Sequence, residues 1–474
     1  MKNFIKITVA VSLSVILLLT LAACGDGGNI QSSNIAPSSS GSTDPGESSN
    51  TPPSNAGKER VTITYSMWGD DEELRVLQEE VIPRFEAQQD RISVEAIQIP
   101  RTEYEATINT YAAGRTLPDT AIMAESQVLS WASQGMLHDI SGMYSAVDIK
   151  PLDSLRFTFQ GNTVGYSVAN EVLLLYYNRD KFTEAGVAPP PAKVADAWDW
   201  DAFIDIAKQM TFDTNGNNAK SPDFDKNNIK QYGIMLHPDF WQLEVWSVTN
   251  GSGWYDADGN VTIDDPAAIE SLQRIADLHL VHNVMPQYGT NANAEIDTHL
   301  LENCAMFVNG QWSVGVWLGP ARASDGLNYG VGVLPYMKEK WTINTGGVNV
   351  VFASSQHPDE SMEWLKWYAK EENAWALIES GIWMPVLEEY YTNETLTRKW
   401  VENPNFPPYE EYKSAVVDYA RTNAKPTSWY YVNNTDLFNE TLSTLMAPVW
   451  TGRDTADNVI KSNIAALRSA NRGN

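Results

Sequence analysis

The sequence predicts an α/β protein of two lobes, carried behind an N-terminal leader and a flexible linker. Three observations lead there. The chain has 474 residues, beyond the size at which one hydrophobic core keeps growing, so two lobes are expected. From residue 61 onward, strand-like and helix-like apolar periods alternate, the order of a largely parallel sheet with helical crossovers. The segment before residue 60 has the composition of neither element.

Lys2 and Lys6 precede an apolar run from Ile7 to Leu19, about as long as a signal-peptide core and short for a membrane span. The run ends in Leu21-Ala22-Ala23-Cys24-Gly25. A small-residue cleavage site followed directly by Cys resembles the bacterial lipobox, which would make residues 1–23 a lipoprotein signal peptide and Cys24 the lipidated first residue. The alternative is an ordinary secretory signal with a coincidental Cys. Residues 24–59 are rich in Ser, Gly, Asn and Pro, and their only large apolar residues are Ile30 and Ile35. Such a stretch buries too little to offset its ordering entropy. It reads as a linker with a reach on the order of 30 Å. No later segment approaches 18 consecutive apolar residues, so the expectation is an exported, extracytoplasmic domain tethered to the cell membrane through its lipid.

The elements follow in order. Val61–Tyr65 alternates as a strand. Leu74, Leu77, Val81 and Phe85 mark one helix face. Ile92, Val94, Ile97 and Ile99 suggest a strand, Tyr104, Ile108, Tyr111 and Ala112 a helix closed by Gly114, and Thr120–Ala124 a third strand. A helix through Leu129 and Trp131 ends at Gly135. Tyr166–Val168 and Val172–Tyr177 read as strands, the second apolar enough to be buried on both faces. From Trp200 to about 470 the pattern is mostly helical, with a strand-like return at Gly347–Phe352. No internal repeat is present.

A formal net charge of −27, from 33 Lys and Arg against 60 Asp and Glu, excludes nucleic acid and anionic head groups as expected partners. Two cysteines, Cys24 and Cys304, make no disulfide framework, and Cys304 opens an apolar stretch as a buried free thiol would.

The order of motifs adds a resemblance. YSMWGDDEE (65–73), AAGRTLPDTAIM (112–123), WASQGML (131–137), NEVLLLYYNRDKFTEAG (170–186) and WDWDAFIDIAKQMT (198–211) are followed by DPAAIESLQRIADL (265–278), CAMFVNGQWSVG (304–315), SSQHPDESMEWLKWYAKEENAW (354–375) and KPTSWYYV (425–432). In this order the chain resembles the family 1 extracellular solute-binding proteins of ABC transporters over residues 60–470. The resemblance implies a two-lobe periplasmic-binding-protein-like fold of the class II type, with an interlobe ligand cleft and a hinge. It divides the chain into an N-lobe of 60–169 plus 338–382 and a C-lobe of 170–337 plus 383–474. It implies a monomeric sugar or oligosaccharide receptor that does no catalysis and delivers its ligand to membrane permease subunits.

Physical chemistry points to the same cleft. In open α/β sheets ligands sit outside the carboxyl ends of strands. Trp68, Asp70 and Asp71 follow the first strand, Glu125 and Ser126 the third, and Glu171 stands beside the crossover strands. A sugar needs carboxylates to take its hydroxyl protons and aromatic faces to cover its C–H faces. By motif position Trp312 and Trp429 correspond to the family's sugar-stacking aromatics, Trp241 to a further one, and Glu171, seven residues before Asn178, to an acidic contact. Each has a bland rival: core packing for the tryptophans, a paired structural carboxylate for Glu171. Trp364, Trp367 and Trp375 fall on a helical period and read as packing, and Asp119 as a structural residue or cap.

Other chemistries are weaker. Asp213, Asn215 and Asn217 begin like a calcium loop, but Phe224 stands at its twelfth position where a Glu belongs; an Asx-rich surface loop is the competing reading, and no other metal or cofactor is expected. His279 and His282 lack a third ligand. A receptor of this fold for a non-sugar solute stays open, because fold does not fix ligand. A secreted glycoside hydrolase would need two carboxyls across a sugar cleft. No Gly-x-Ser-x-Gly, His-Glu-x-x-His or Gly-x-x-x-x-Gly-Lys motif is present.

Overall fold

Alternation at Val61–Met67 produces strand β1, and each apolar residue that faces inward, Ile63, Tyr65 and Met67, is buried. The computed structural model describes residues 60–472 except 70, 101–102, 146–151, 153–154, 237–239, 257, 289–298 and 432–434. The leader, the linker, Cys24 and the candidate Asp70 lie outside the described residues.

Two sheets organise the chain. The first contains β1, β2 (Ile92–Gln98), β3 (Thr120–Met123), β4 (Arg156–Phe159), β5 (Asn162–Ser167) and β12 (Val348–Val351), in the order β2-β1-β3-β12-β5-β4. β1 pairs in parallel with β2 and β3. The expected largely parallel sheet is nonetheless mixed. β12 enters antiparallel between β3 and β5, and β4 and β5 form a hairpin. Helical crossovers join only β1, β2 and β3; β12 arrives from the other sheet and therefore runs the opposite way.

The second sheet contains β6 (Glu171–Asn178), β7 (Phe212–Asp213), β8 (Ile229–Leu236), β9 (Cys304–Gly310), β11 (Thr342–Thr345) and β13 (Ala424–Pro426), in the order β13-β11-β6-β9-β8-β7. β10 (Tyr329–Gly332) pairs with the far end of β6. The stretch past Trp200 is thus less helical than its sequence suggests. β9 is buried at every position, so it carries no polar alternation, and only the second half of β8 is fully buried. β6 sends Val172, Leu174 and Tyr176 into one apolar cluster and Leu173, Leu175 and Tyr177 into another. A strand buried on both faces in this way is the strongest core element available to such a sheet, each side chain contributing about 1.5–3 kcal/mol.

The chain passes between the sheets at 168–170 and again at 346–347, beside the segment Ile382–Leu387. These passages hold one another through the backbone: Val168 N–H donates to Gly347 O at 2.9 Å, and Asn170 N–H to Met384 O at 3.2 Å. Contact is so close at Gly346 that a Cβ there would overlap the Ala169 carbonyl oxygen. The return at 346–347 lies beyond position 338, where the resemblance set the boundary, because β11 stays paired with β6.

Side chains brace this region. Asp119 accepts from Thr64 N–H and Oγ1, both at 2.9 Å, and from Ser355 Oγ at 2.7 Å, tying β1 to the end of β12. Trp364 is fully buried and stacks on Tyr368 at 4.9 Å. Glu371, also buried, accepts from Val386 N–H at 2.7 Å and Leu387 N–H at 2.9 Å. Burial pushes its carboxyl up to about 8 against the pull of those two N–H groups, with Glu372 and Glu389 adding to the rise.

Folded Glu371 therefore holds its proton more tightly than an unfolded Glu near 4.3, and between there and about 8 stability falls as pH rises. Glu371→Gln keeps an acceptor without the charge. Its denaturant midpoint relative to wild type should climb from about pH 5 to about pH 8; a difference constant with pH would show Glu371 ionised throughout.

Candidate functional site

The pairing pattern brings one end of each sheet to the passages. In the first sheet β12 begins at Val348 opposite Met123, the last residue of β3, so the carboxyl ends of β1 and β3 lie there. In the second, Thr345 at the end of β11 is paired with Glu171 at the start of β6, and Gln311 N–H, just after β9, donates to Val172 O at 3.0 Å. β8 runs parallel to β9 and ends on the same side.

Every described candidate for the sugar cleft lies at one of these ends. Trp68 follows β1, half-buried, with its ring edge-on to Tyr104 at 5.0 Å. It lies so close to the passage that a Cβ on Gly347 would stand 2.7 Å from its Cζ2. Glu125 and Ser126 open the helix Glu125–Ser133 directly after β3, and both are half-buried. Trp312 follows β9, lies against the Gly310 backbone where no Cβ would fit, and packs half-buried on the second-sheet cluster. Trp241 sits in the turn Phe240–Leu243 after β8, Trp429 in the turn Ser428–Tyr431 after β13, and Asp71 begins the helix Asp71–Val76 after β1. Their side chains lie outside the described set.

The carboxyls of the two sheets meet here. Thr345 Oγ1 donates to Glu125 Oε1, so a first-sheet acid is tied to a second-sheet strand. Glu171 keeps part of its surface open to the cleft, yet its carboxyl is deep enough that desolvation holds it well above the usual carboxylate range; Glu125 and then Glu73 push it the same way. Glu73, from the helix Asp71–Val76, is buried and accepts from Trp383 Nε1 at 3.1 Å.

A second buried acid shapes the rim. Glu244, which begins the helix Glu244–Thr249, has no exposed surface. It accepts from Thr427 Oγ1 at 2.5 Å, from Ser428 N–H at 3.1 Å and from Ser428 Oγ. Burial raises its carboxyl although Ser428, Thr427 and the Trp254 N–H draw it back. These bonds fix the turn that carries Tyr430. Its ring enters the apolar cluster of the first sheet, 4.6 Å from Phe157.

The fold with this cleft matches a known family. Residues 80–408 match the bacterial extracellular solute-binding proteins. The chain belongs to that family. Its placement is accordingly extracytoplasmic, and among the described residues no helix is long and apolar enough to cross a membrane. As a solute-binding protein it is similar to the maltodextrin-binding protein MdxE of Bacillus subtilis, 24% identical over 421 residues, 86% of each chain. Its fold is shared by Lmo0181 of Listeria monocytogenes, solved with cycloalternan, at a TM-score of 0.71 and 18% identity, covering 88% of this chain and all of that one. A cyclic alpha-maltosyl-1,6-maltose binding protein from Arthrobacter globiformis superposes at a TM-score of 0.68 with 20% identity, again over 88% of this chain and 100% of the other.

Sequence reasoning missed Glu73, Glu244, Thr345, Trp383 and Tyr430. Glu244 had a signal, a lone charge inside an apolar run; Tyr430 adjoins a candidate Trp. Other features stand apart. A hollow of about 830 Å³ lined by Trp200, Ile204, Lys208, Ile269, Arg274 and Asp277 shares no residue with the cleft. In the calcium-like loop, Asp213 accepts from the N–H groups of Asn215, Asn217 and Asp225 at 2.8–2.9 Å. Desolvation works against them, yet the Asp225 and Asn217 donors bring its carboxyl down to about 2. Both its oxygens are thereby occupied, and among the described residues no group of three or more His, Cys, Asp or Glu is set to hold a metal. Cys304 is free and buried, its thiol pushed up to about 12 by desolvation.

Glu244→Ala leaves the buried Thr427 hydroxyl and the half-buried Ser428 donors without this acceptor. Each donor so stranded should cost about 1–3 kcal/mol in chemical denaturation. A variant as stable as wild type would mean that water fills the gap.

Proposed function

We propose that this solute-binding protein is a lipid-anchored sugar or oligosaccharide receptor that closes its two lobes around the ligand and presents it to the permease of an ABC transporter. One observation carries the reading: carboxyl acceptors from both sheets converge at the passages, with Trp68 and Trp312 at the neighbouring strand ends. That mixture suits a pyranose, whose hydroxyls donate and whose C–H faces are apolar. The printed names of the relatives, maltodextrin and cyclic oligosaccharide binders among them, support the same ligand class. In this reading the protein acts as a monomer, without cofactor and without covalent chemistry. The backbone-bonded passages serve as the hinge, since a few element-terminal residues are enough to absorb a domain closure.

A panel of mono- and oligosaccharides read by thermal shift tests it. A ligand at about 100 times its Kd should add about 2.7 kcal/mol of stability, and the same ligand should shrink the radius of gyration in solution scattering. Affinity should fall in the order Trp312, Trp312→Phe, Trp312→Ala, the last by about 2 kcal/mol or more. Unchanged affinity in Trp312→Ala with a much lower melting temperature would make Trp312 a core residue.

The anchor rests on Leu21-Ala22-Ala23-Cys24. Cys24→Ala should move the protein from the membrane fraction to the soluble one. Wild-type protein that is cleaved elsewhere and fully soluble would remove lipidation from the proposal.

A further inference from the structure

The cleft holds more carboxyl groups around one point than a neutral ligand needs. Glu125 is tied to Thr345, and Thr345 stands directly across from Glu171 in the antiparallel pair of β6 and β11. Side chains so paired have Cβ atoms about 4.5–5.5 Å apart. Glu73 is brought near by another route: its partner Trp383 adjoins Met384, whose carbonyl accepts the N–H of Asn170, the residue before Glu171. Glu171 thus has two further acids close by, and at its own carboxyl no hydrogen bond or cation offsets them among the described residues.

A second polar group lies nearby, in the turn Ser428–Tyr431 that packs on the helix Glu125–Ser133. Tyr430 is 6% exposed and its hydroxyl has no hydrogen-bond partner. The groups that act on that hydroxyl electrostatically are Glu125, Tyr431 and Glu244. A buried hydroxyl without a partner costs about 1–3 kcal/mol. That hydroxyl is able to bond a polar ligand atom lying beside Glu125.

A neutral sugar supplies hydroxyl donors to each carboxylate but leaves their mutual repulsion in place. A protonated amine supplies three donors and cancels one unit of charge where acids are crowded and poorly solvated. We infer that the cleft selects an amine-bearing carbohydrate, with its ammonium group seated among Glu171, Glu125 and Glu73 and a neighbouring hydroxyl bonded to Tyr430. The inference rests on the reading of this cleft as a sugar site and narrows it to amino sugars.

The test compares short glucosamine oligomers, their N-acetylated counterparts and maltodextrins of matching length. Binding is measured by titration calorimetry at about pH 6, where a primary amine is charged, and at physiological salt so that long-range attraction to the acidic surface is screened. The glucosamine oligomers should bind about tenfold tighter than the N-acetylated forms. Glu171→Gln should erase that preference while the ligand-free melting temperature holds or rises, because a poorly solvated ionisable group has gone. Tyr430→Phe should weaken the amine and acetylated ligands alike. Equal or better binding of the neutral sugars would overturn the inference and leave the sugar reading standing. An amine preference that survives Glu171→Gln would place the attraction on the outer surface and overturn it too. Failure of all three sets to bind folded protein would sink the sugar reading and this inference with it.

Discussion

Three lengths of backbone have to pass side by side between two sheets, and most of what matters in this molecule follows from that crowding. Val168 bonds to Gly347 and Asn170 to Met384, and Gly346 has no room for a side chain against Ala169. Because the passages are short, the first residue beyond each is already at a sheet end. Glu171, Thr345, Val348 and Trp383 are all brought within a residue or two of a passage. The cleft is thus a by-product of strand connectivity, and the carboxyls that meet there are positioned by backbone rather than by loops.

The same region concentrates costly acids. Glu371 under the third passage, Glu171 and Glu244 each hold their protons more firmly than an exposed carboxyl would, all three chiefly through burial. They differ in compensation. Glu371 and Glu244 receive backbone or hydroxyl donors that also fix a chain segment, so their burial has a structural return. Glu171 has no such return, and buried charge without it is retained at functional sites more often than in cores. The difference separates Glu171 from the two braces among residues of one type.

How far the sequence foresaw this depends on the residue. β1, β3 and β6 were readable because β1 alternates and the run of β6 is apolar on both faces. β9 was not, since its apolar run Ala305-Met306-Phe307-Val308 is short and holds a single β-branched residue. Nor was the mixed sheet, because strand direction is set by where β12 comes from and not by its own residues. The places of Trp68, Glu125, Glu171 and Trp312 at strand ends were legible from motif order. The contacts of Glu125 with Thr345 and of Glu73 with Trp383 join residues 220 and 310 positions apart, which no local pattern records. Asp119, read from its place in the loop as a structural residue or cap, is structural: three hydrogen bonds join β1 to the segment after β12.

Tyr430 bears on timing. Its turn is fastened to the second sheet through Glu244, while its ring is lodged beside Phe157 in the apolar cluster of the first. Parting the sheets means drawing that ring out into water, at a cost of about 1.5–3 kcal/mol for a large buried side chain. On the scale of rates this is roughly a ten- to hundredfold delay. In the proposed closure the aromatic ring therefore acts on residence time: it slows the opening step, apart from any bond that its hydroxyl makes to the ligand.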